Sequence, residues 1–349
     1  MKIIPPKITP KIICFILMSL FLTSLLITST GCALKDRLSL RPSLPDSSRP
    51  VVYTSIYPLY DFTKKIAGEN VTVINITPAG IEPHSFEPST KLLAELTKAS
   101  LFIYNGAGME PYLEKLQKAM QKSPLLMVEA SRGITLIKHD HQESTVSMET
   151  SSETELEASF THHDENEAVH EHEGVDPHTW LSPACARQIG QNILQALVQI
   201  DPEQQATYEK NFRVLQAQLT ELDLQYKETL TSCQRKDLVV THEAFGYLCR
   251  EYGLNQISVM GLHAEAEPTP GTLKEIIKLV NNKEIKYIFF EALYSPKVAE
   301  TISRETNTKI LVLNPLGSLT EKALEDGQDY FSIMKENLEN LKQALEYQP

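Results

Sequence analysis

The stretch DPEQQATYEKNFRVLQAQLTELDLQYKETLT, residues 201–231, decides how the chain is organised. Phe212, Leu215, Leu219, Leu222, Tyr226 and Leu230 recur at spacings of three and four, so one apolar stripe runs unbroken for about five turns. Asp201-Pro202-Glu203 supplies its start, an N-cap residue followed by proline at the first helical position, where the missing N–H costs no hydrogen bond. A second start of the same kind, Ser182-Pro183, opens a helical stretch just upstream. The pattern predicts a single long linker helix over 201–231 with a lobe on either side. Such a helix resists bending far more than a loop does, so the lobes are expected to move against each other only slightly.

On the N-terminal side the sequence alternates strand and helix: Val51 to Ile56, a helix from Pro58 to Ala67, Val71 to Ile76, a helix from Thr90 to Ala99, then Leu101 to Tyr104. The same grammar restarts beyond the linker at Leu238 to Val240, Gln256 to Val259, Tyr287 to Phe290 and Ile310 to Leu313. Short β-rich runs separated by helices imply parallel strands. The expected fold class is therefore α/β, with two similar lobes, each a parallel sheet flanked by helices. At 349 residues and 42% hydrophobic, the chain is long enough for two cores. The expected division is a signal over 1–31, a tether over 32–50, an N-terminal lobe over 51–200, the linker, and a C-terminal lobe over 232–349.

Lys2, Lys7 and Lys11 precede an apolar run from Ile12 to Ile27, followed by Ser29-Thr30-Gly31-Cys32, the layout of a secretory signal. The ending resembles a bacterial lipobox, with Ser29 in place of the usual Leu, and makes Cys32 the expected lipidation site; a plain cleaved signal or an uncleaved anchor are the alternatives. Residues 33–50, rich in Ser, Pro and Arg, read as a tether. Cys185, Cys233 and Cys249 remain, an odd number that makes no disulfide framework and contains no CxxC pair, although one bridge is possible.

The net charge of −12 argues against nucleic-acid binding, and much of it lies in one acidic stretch. From 139 to 175 there is no Lys or Arg, and six histidines occur: His139, His141, His162, His163, His170 and His172. Such a stretch cannot bury enough apolar surface to offset its ordering entropy, so it is expected to be a disordered excursion; the histidines suit weak metal gathering.

Three other histidines sit where one element hands over to the next. His84 lies in Pro83-His84-Ser85-Phe86-Glu87-Pro88, a loop held by two prolines, and His178 in Asp176-Pro177-His178-Thr179-Trp180-Leu181, a proline-held turn running into a helix. His242 follows the strand ending at Val240, and the carboxyl ends of parallel strands are where open α/β sheets bind ligands. A lone loop histidine is most often merely solvated. Three that converge on one cleft make a site for a borderline cation such as Zn²⁺.

At these residues the chain resembles the zinc-type solute-binding lipoproteins of metal ABC transporters, the group that includes ZnuA and AdcA. Further segments carry the likeness: Asn105-Gly106-Ala107-Gly108-Met109-Glu110, Thr241-His242-Glu243-Ala244-Phe245-Gly246-Tyr247, Glu265-Ala266-Glu267-Pro268 and Leu313-Asn314-Pro315-Leu316. It runs nearly colinearly from Val51 to Leu345. The resemblance implies two lobes joined by a rigid helix, one metal ion in the cleft between them, and His84, His178 and His242 as the first three ligands. Manganese-type relatives usually carry a carboxylate at the third position. Histidine there favours Zn²⁺.

The fourth ligand is where this chain departs. Relatives supply an Asp at the position of Asn314 or a Glu at the position of Gly317, and neither carboxylate is present. Water is the simplest completion, leaving an open tetrahedral position. Asn314 offers only a weak neutral oxygen, and Glu82, Glu87 or the histidine-rich segment are the other candidates. Glu110, Glu243, Glu267 and Glu291 are candidates to orient the imidazoles.

The expectation is thus an extracytoplasmic, lipid-anchored, monomeric carrier that captures Zn²⁺ and delivers it to a membrane permease, and not an enzyme. Alternatives are a manganese-binding homologue, a surface adhesin, for which no sequence feature argues, and a metal-dependent hydrolase with Glu243 as base. No HExxH spacing supports the last. Metal affinity is expected to collapse below about pH 6, because imidazoles must be neutral to coordinate.

Overall fold

The computed structural model describes residues 49–138, 174–262, 268–291, 293 and 295–348. The expected signal, Cys32, most of the tether, the histidines from His139 to His172 and the Glu265-Ala266-Glu267 segment lie outside the described residues.

The first lobe runs β1 (Val51–Thr54), α1 (Tyr57–Ala67), β2 (Thr72–Asn75), α2 (Thr90–Leu96), β3 (Leu101–Tyr104), α3 (Leu113–Met120) and β4 (Leu126–Glu129). Its four strands are all parallel, in the order β2-β1-β3-β4. Helices α4 (Pro183–Ile200) and α5 (Gln205–Thr231) follow. The second lobe runs β5 (Asp237–Val240), α6 (Gly246–Tyr252), β6 (Asn255–Ser258), α7 (Pro270–Asn282), β7 (Tyr287–Phe290), α8 (Lys297–Thr306), β8 (Lys309–Val312), α9 (Glu321–Glu325) and α10 (Tyr330–Ala344). Its parallel order, β6-β5-β7-β8, repeats that of the first. In both sheets the chain switches direction between the first and third strands, which opens a crevice at their carboxyl ends.

Strand alternation sorts the side chains. Val52, Leu101 and Ile103 of the first sheet and Leu238 and Val240 of the second join one core running through both lobes, while Tyr53, Phe102 and Val239 face separate outer layers. The apolar stripe of α5 is that shared core's spine: Phe212, Leu215, Leu219, Leu222, Tyr226 and Leu230 are all buried. Gly190 lets α4 approach it closely, since a Cβ there would stand 3.0 Å from Phe212 Cε2. Ser182 caps α4, its Oγ accepting from Cys185 N at 3.3 Å, with Pro183 at the first helical position. The linker begins as a 3₁₀ turn, Pro202–Gln204, before α5 proper.

The element boundaries expected from the sequence mostly hold to within a residue or two. α3 and β4 were not expected. Every residue of β4 is half-buried, and the apolar run Leu125 to Val128 was a usable signal for it. Cys185, Cys233 and Cys249 are free thiols, and burial pushes Cys249 up to about 12.

Among the described residues, several hydrogen bonds stitch one lobe to the segment 315–330 of the other, including Tyr57 Oη to Gln328 O and Ser318 Oγ to Pro78 O, both at 3.3 Å. Tyr57 N donates to Gly317 O at 3.2 Å and Gly80 N to Leu319 O at 2.8 Å. Trp180 Nε1 donates to Pro315 O, and Tyr330 Oη to Trp180 O, both at 2.7 Å.

Candidate metal centre

His84 sits in a 3₁₀ turn, Pro83–Ser85, whose cap is Glu82; the Glu82 carboxylate accepts from His84 N at 3.2 Å. Pro83 packs against Gly317, where a Cβ would lie 3.2 Å from Pro83 Cγ. A Cβ at that position would fit tightly, with the Pro83 ring giving by a few tenths of an ångström.

His178 is held from two directions. Asp176 Oδ1 accepts from the His178 backbone N at 2.9 Å and lies 2.8 Å from Nδ1, so one carboxylate fixes both the turn and the ring. From the end of β3, Asn105 Nδ2 donates to Pro177 O at 2.9 Å. Asn105 is itself fixed by buried Glu110, whose carboxylate accepts from Asn105 N at 2.7 Å and Gly106 N at 3.0 Å. Gly106 is required there: its φ is +79°, and a Cβ would stand 2.4 Å from Glu129 Oε1. Burial raises the Glu110 carboxyl to about 7, against the lowering pull of the Ser55 hydroxyl and these N–H groups. The Trp180 ring lies 5.3 Å from that of His178 and carries the bond to Pro315 across the lobes.

His242 comes off the carboxyl end of β5, and Glu291 off the neighbouring β7, the two strands flanking the crevice. His242 Nδ1 lies 2.5 Å from Glu291 Oε1, and Nε2 lies 2.8 Å from Leu262 O. Burial pulls the His242 pKa down, but the charge and hydrogen bond of Glu291, the Leu262 carbonyl and the charge of Glu82 outweigh it and leave it raised. Glu82, capping the His84 turn, therefore also acts on the histidine of the opposite lobe.

The three rings converge. His84 and His178 are 5.0 Å apart between centroids, His84 and His242 5.6 Å, and His178 and His242 4.9 Å. One ring nitrogen from each lies within 4.8 Å of the others. A carboxylate occupies Nδ1 of His178, so Nε2 is the atom it presents to the centre. In His242, Nδ1 faces Glu291 and Nε2 the Leu262 carbonyl, so binding an ion through Nε2 requires that nitrogen to leave the carbonyl. His84 Nε2 and His178 Nε2 are 3.1 Å apart. Tetrahedral Zn²⁺ with Zn–N near 2.05 Å places its nitrogens roughly 3.3 Å from one another, so this pair already has the spacing of a bound ion's ligands.

The other candidates fall in different places. Asn314 Oδ1 accepts from Leu316 N at 2.8 Å, and its backbone is paired on both sides with the Asn337 amide. That amide thereby builds the turn in which Leu316 takes φ +63°. Glu87 is exposed and Glu243 half-buried. Of the acids that sequence nominated to orient imidazoles, Glu291 meets His242 directly, Glu110 reaches His178 only through Asn105, and Glu267 lies outside the described residues. Asp176 was not nominated, although a carboxylate two residues before a histidine in a proline turn was a usable signal. A groove of about 800 Å³, lined by Tyr57, Tyr60, Asp61, Lys65 and Asp329 among others, contains none of the three histidines.

The profile of the ZnuA family, described as "Zinc-uptake complex component A periplasmic", matches residues 52–344. The chain belongs to the ZnuA family. It is 37% identical over 294 residues to the zinc-binding protein AdcA of Streptococcus pyogenes, covering 83% of this chain and 55% of AdcA. The chain thus spans about half the length of that relative. Against the high-affinity zinc uptake system protein ZnuA of Bacillus subtilis it is 37% identical over 294 residues, covering 84% of this chain and 87% of the relative. The crystal structure of the Zn(II)-bound ZnuA-like domain of Streptococcus pneumoniae AdcA superposes with a TM-score of 0.69 at 33% identity, covering 85% of this chain and 99% of that domain. The two-lobed parallel α/β fold is therefore that of the ZnuA family.

Proposed function

We propose that this protein is the extracytoplasmic zinc-capturing component of an ABC-type uptake system, lipid-anchored through Cys32. It binds one Zn²⁺ through His84, His178 and His242 and passes it, as a monomeric carrier and not an enzyme, to a membrane permease. The observation that carries this reading is the convergence of three imidazole nitrogens from both lobes within 4.8 Å, two of the rings held by buried carboxylates. An all-nitrogen set is the donor chemistry that favours Zn²⁺ over the oxygen-seeking Mn²⁺. The names of the relatives point the same way, including zinc-binding AdcA and zinc-uptake ZnuA. Water completes the sphere. Supporting this, the Asn314 oxygen is engaged by Leu316 N, and Gly317 faces Pro83 with little room for a longer side chain. The histidines from His139 to His172 gather metal weakly.

The test is a competitive Zn²⁺ titration of the full-length protein against His84→Ala, His178→Ala and His242→Ala, with a chelator strong enough to strip weak sites. Tight 1:1 binding in the wild type, lost in each variant, is expected. Retention of that tight site in the variants would refute the assignment.

A further inference from the structure

The turns that carry His178 and His242 come from opposite lobes, yet they are packed directly onto each other. A Cβ added to Gly246, four residues after His242, would stand 2.4 Å from Asp176 Oδ2. The backbone that opens α6 thus lies against the very carboxylate that fixes His178. The next residue, Tyr247, is fully buried, and its hydroxyl donates to Asp176 O at 2.7 Å while accepting from Ile137 N at 3.1 Å. Ile137 O accepts in turn from Asp176 N at 2.9 Å, and Lys138 bridges Val175 antiparallel. One phenol of the C-terminal lobe therefore fastens both chain ends that flank residues 139–173. Arg250, over the phenol ring at 4.9 Å, donates to Thr135 O at 3.0 Å and holds the same edge.

We infer that Tyr247 and Gly246 are positioning residues for metal binding: they fix Asp176, and through it the His178 ring, at the spacing from His242 that one ion requires. The inference rests on the zinc reading above. Ligand atoms must be held to within a few tenths of an ångström for full affinity, and orienting groups typically contribute about 10- to 100-fold. Asp176 Oδ1 sets the ring through two contacts, to N and to Nδ1, so a small displacement of the Asp176 backbone turns the imidazole. Tyr247 restrains that backbone through its carbonyl. Gly246 restrains the carboxylate from the other side by offering no side chain.

The experiment uses the full-length protein in detergent, with Zn²⁺ affinity by competition and Co²⁺ as a visible-spectrum reporter of ligand geometry. Asp176→Asn is expected to weaken Zn²⁺ by about 10- to 100-fold. Tyr247→Phe, one contact further out, is expected to weaken it by about tenfold and to shift the Co²⁺ bands, with a smaller penalty in the Asp176→Asn background because both act through one group. Gly246→Ala should alter the same Co²⁺ bands by adding an atom instead of removing one, and it carries the test should Tyr247→Phe fail to fold. Wild-type affinity and Co²⁺ spectra in both Tyr247→Phe and Gly246→Ala, whatever their melting temperatures, would overturn the inference and leave the zinc site standing. A wild type without 1:1 binding, or one indifferent to His178→Ala, would sink the zinc reading itself.

Discussion

Glu110 turns the support beneath His178 into a measurable pH dependence. The residue is 6% exposed, and burial raises its carboxyl to about 7, against an ordinary value of 4.5 in an unfolded chain. Between those values the folded protein holds a proton that the unfolded chain has released, so this group's contribution to stability falls as pH rises through the window. At ~1.4 kcal/mol per pH unit, the interval from 4.5 to about 7 amounts to roughly 3 kcal/mol. Glutamine cannot ionise, so Glu110→Gln removes the dependence while keeping one acceptor for the N–H groups of Asn105 and Gly106. Urea denaturation of the metal-free wild type and variant from pH 4.5 to 8 gives two stability curves. The wild type's advantage should shrink by roughly 3 kcal/mol across the window. Other titrating groups act on both proteins and cancel in the difference, so parallel curves would refute the reasoning.

Leu219→Ala, at the fully buried centre of α5, should cost about 2–5 kcal/mol in urea denaturation, because it leaves a cavity in the core shared by both lobes. Zinc affinity should fall as pH drops, starting above the ordinary histidine range, because Zn²⁺ must displace a proton that Glu291 helps hold on His242; Glu291→Gln should move that fall to lower pH in competition titrations between pH 5 and 8. Deleting residues 139–172 should leave the tight 1:1 site intact and abolish only weaker binding in calorimetry. Loss of the tight site would place one of its ligands in that segment.

Much of the fold was legible because its signals are periodic. The α5 stripe from Phe212 to Leu230 is buried at every marked position, as a 3.6-residue repeat against two packing partners requires. The strands at Leu101 and Tyr287 lie inside their sheets and read as short apolar runs, as do the edge strands β2 and β8; β4 went unmarked although Leu125 to Val128 is an apolar run of the same kind. The three histidines were legible as residues placed at the ends of elements in proline-held turns. Their orienting partners were much less so. Asp176 was close at hand in sequence, but Glu291 lies 49 positions from His242 and reaches it only because β5 and β7 are neighbours in the sheet. The meeting of Gly246 and Tyr247 with Asp176 crosses two lobes, and no local pattern encodes it.

These contacts also constrain how the site opens. A hinge wide enough to part the lobes would break the bonds from Trp180 to Pro315, Tyr330 to Trp180 and Tyr247 to Asp176, all anchored on buried side chains. At about 0.5–1.5 kcal/mol net for each bond exchanged for bonds to water, the three cost roughly 2–5 kcal/mol, and apolar surface uncovered along α5 adds to that. A local movement at the site therefore costs less than a wide hinge. Among the three histidines, His178 and His242 are 2% and 1% exposed, whereas His84 is only half-buried on a three-residue turn. If the three histidines hold an ion as proposed, the turn of His84 is the part of the site that moves without unfastening the lobes, and exchange past His84 is the expected route, with the rings held by Asp176 and Glu291 staying in place.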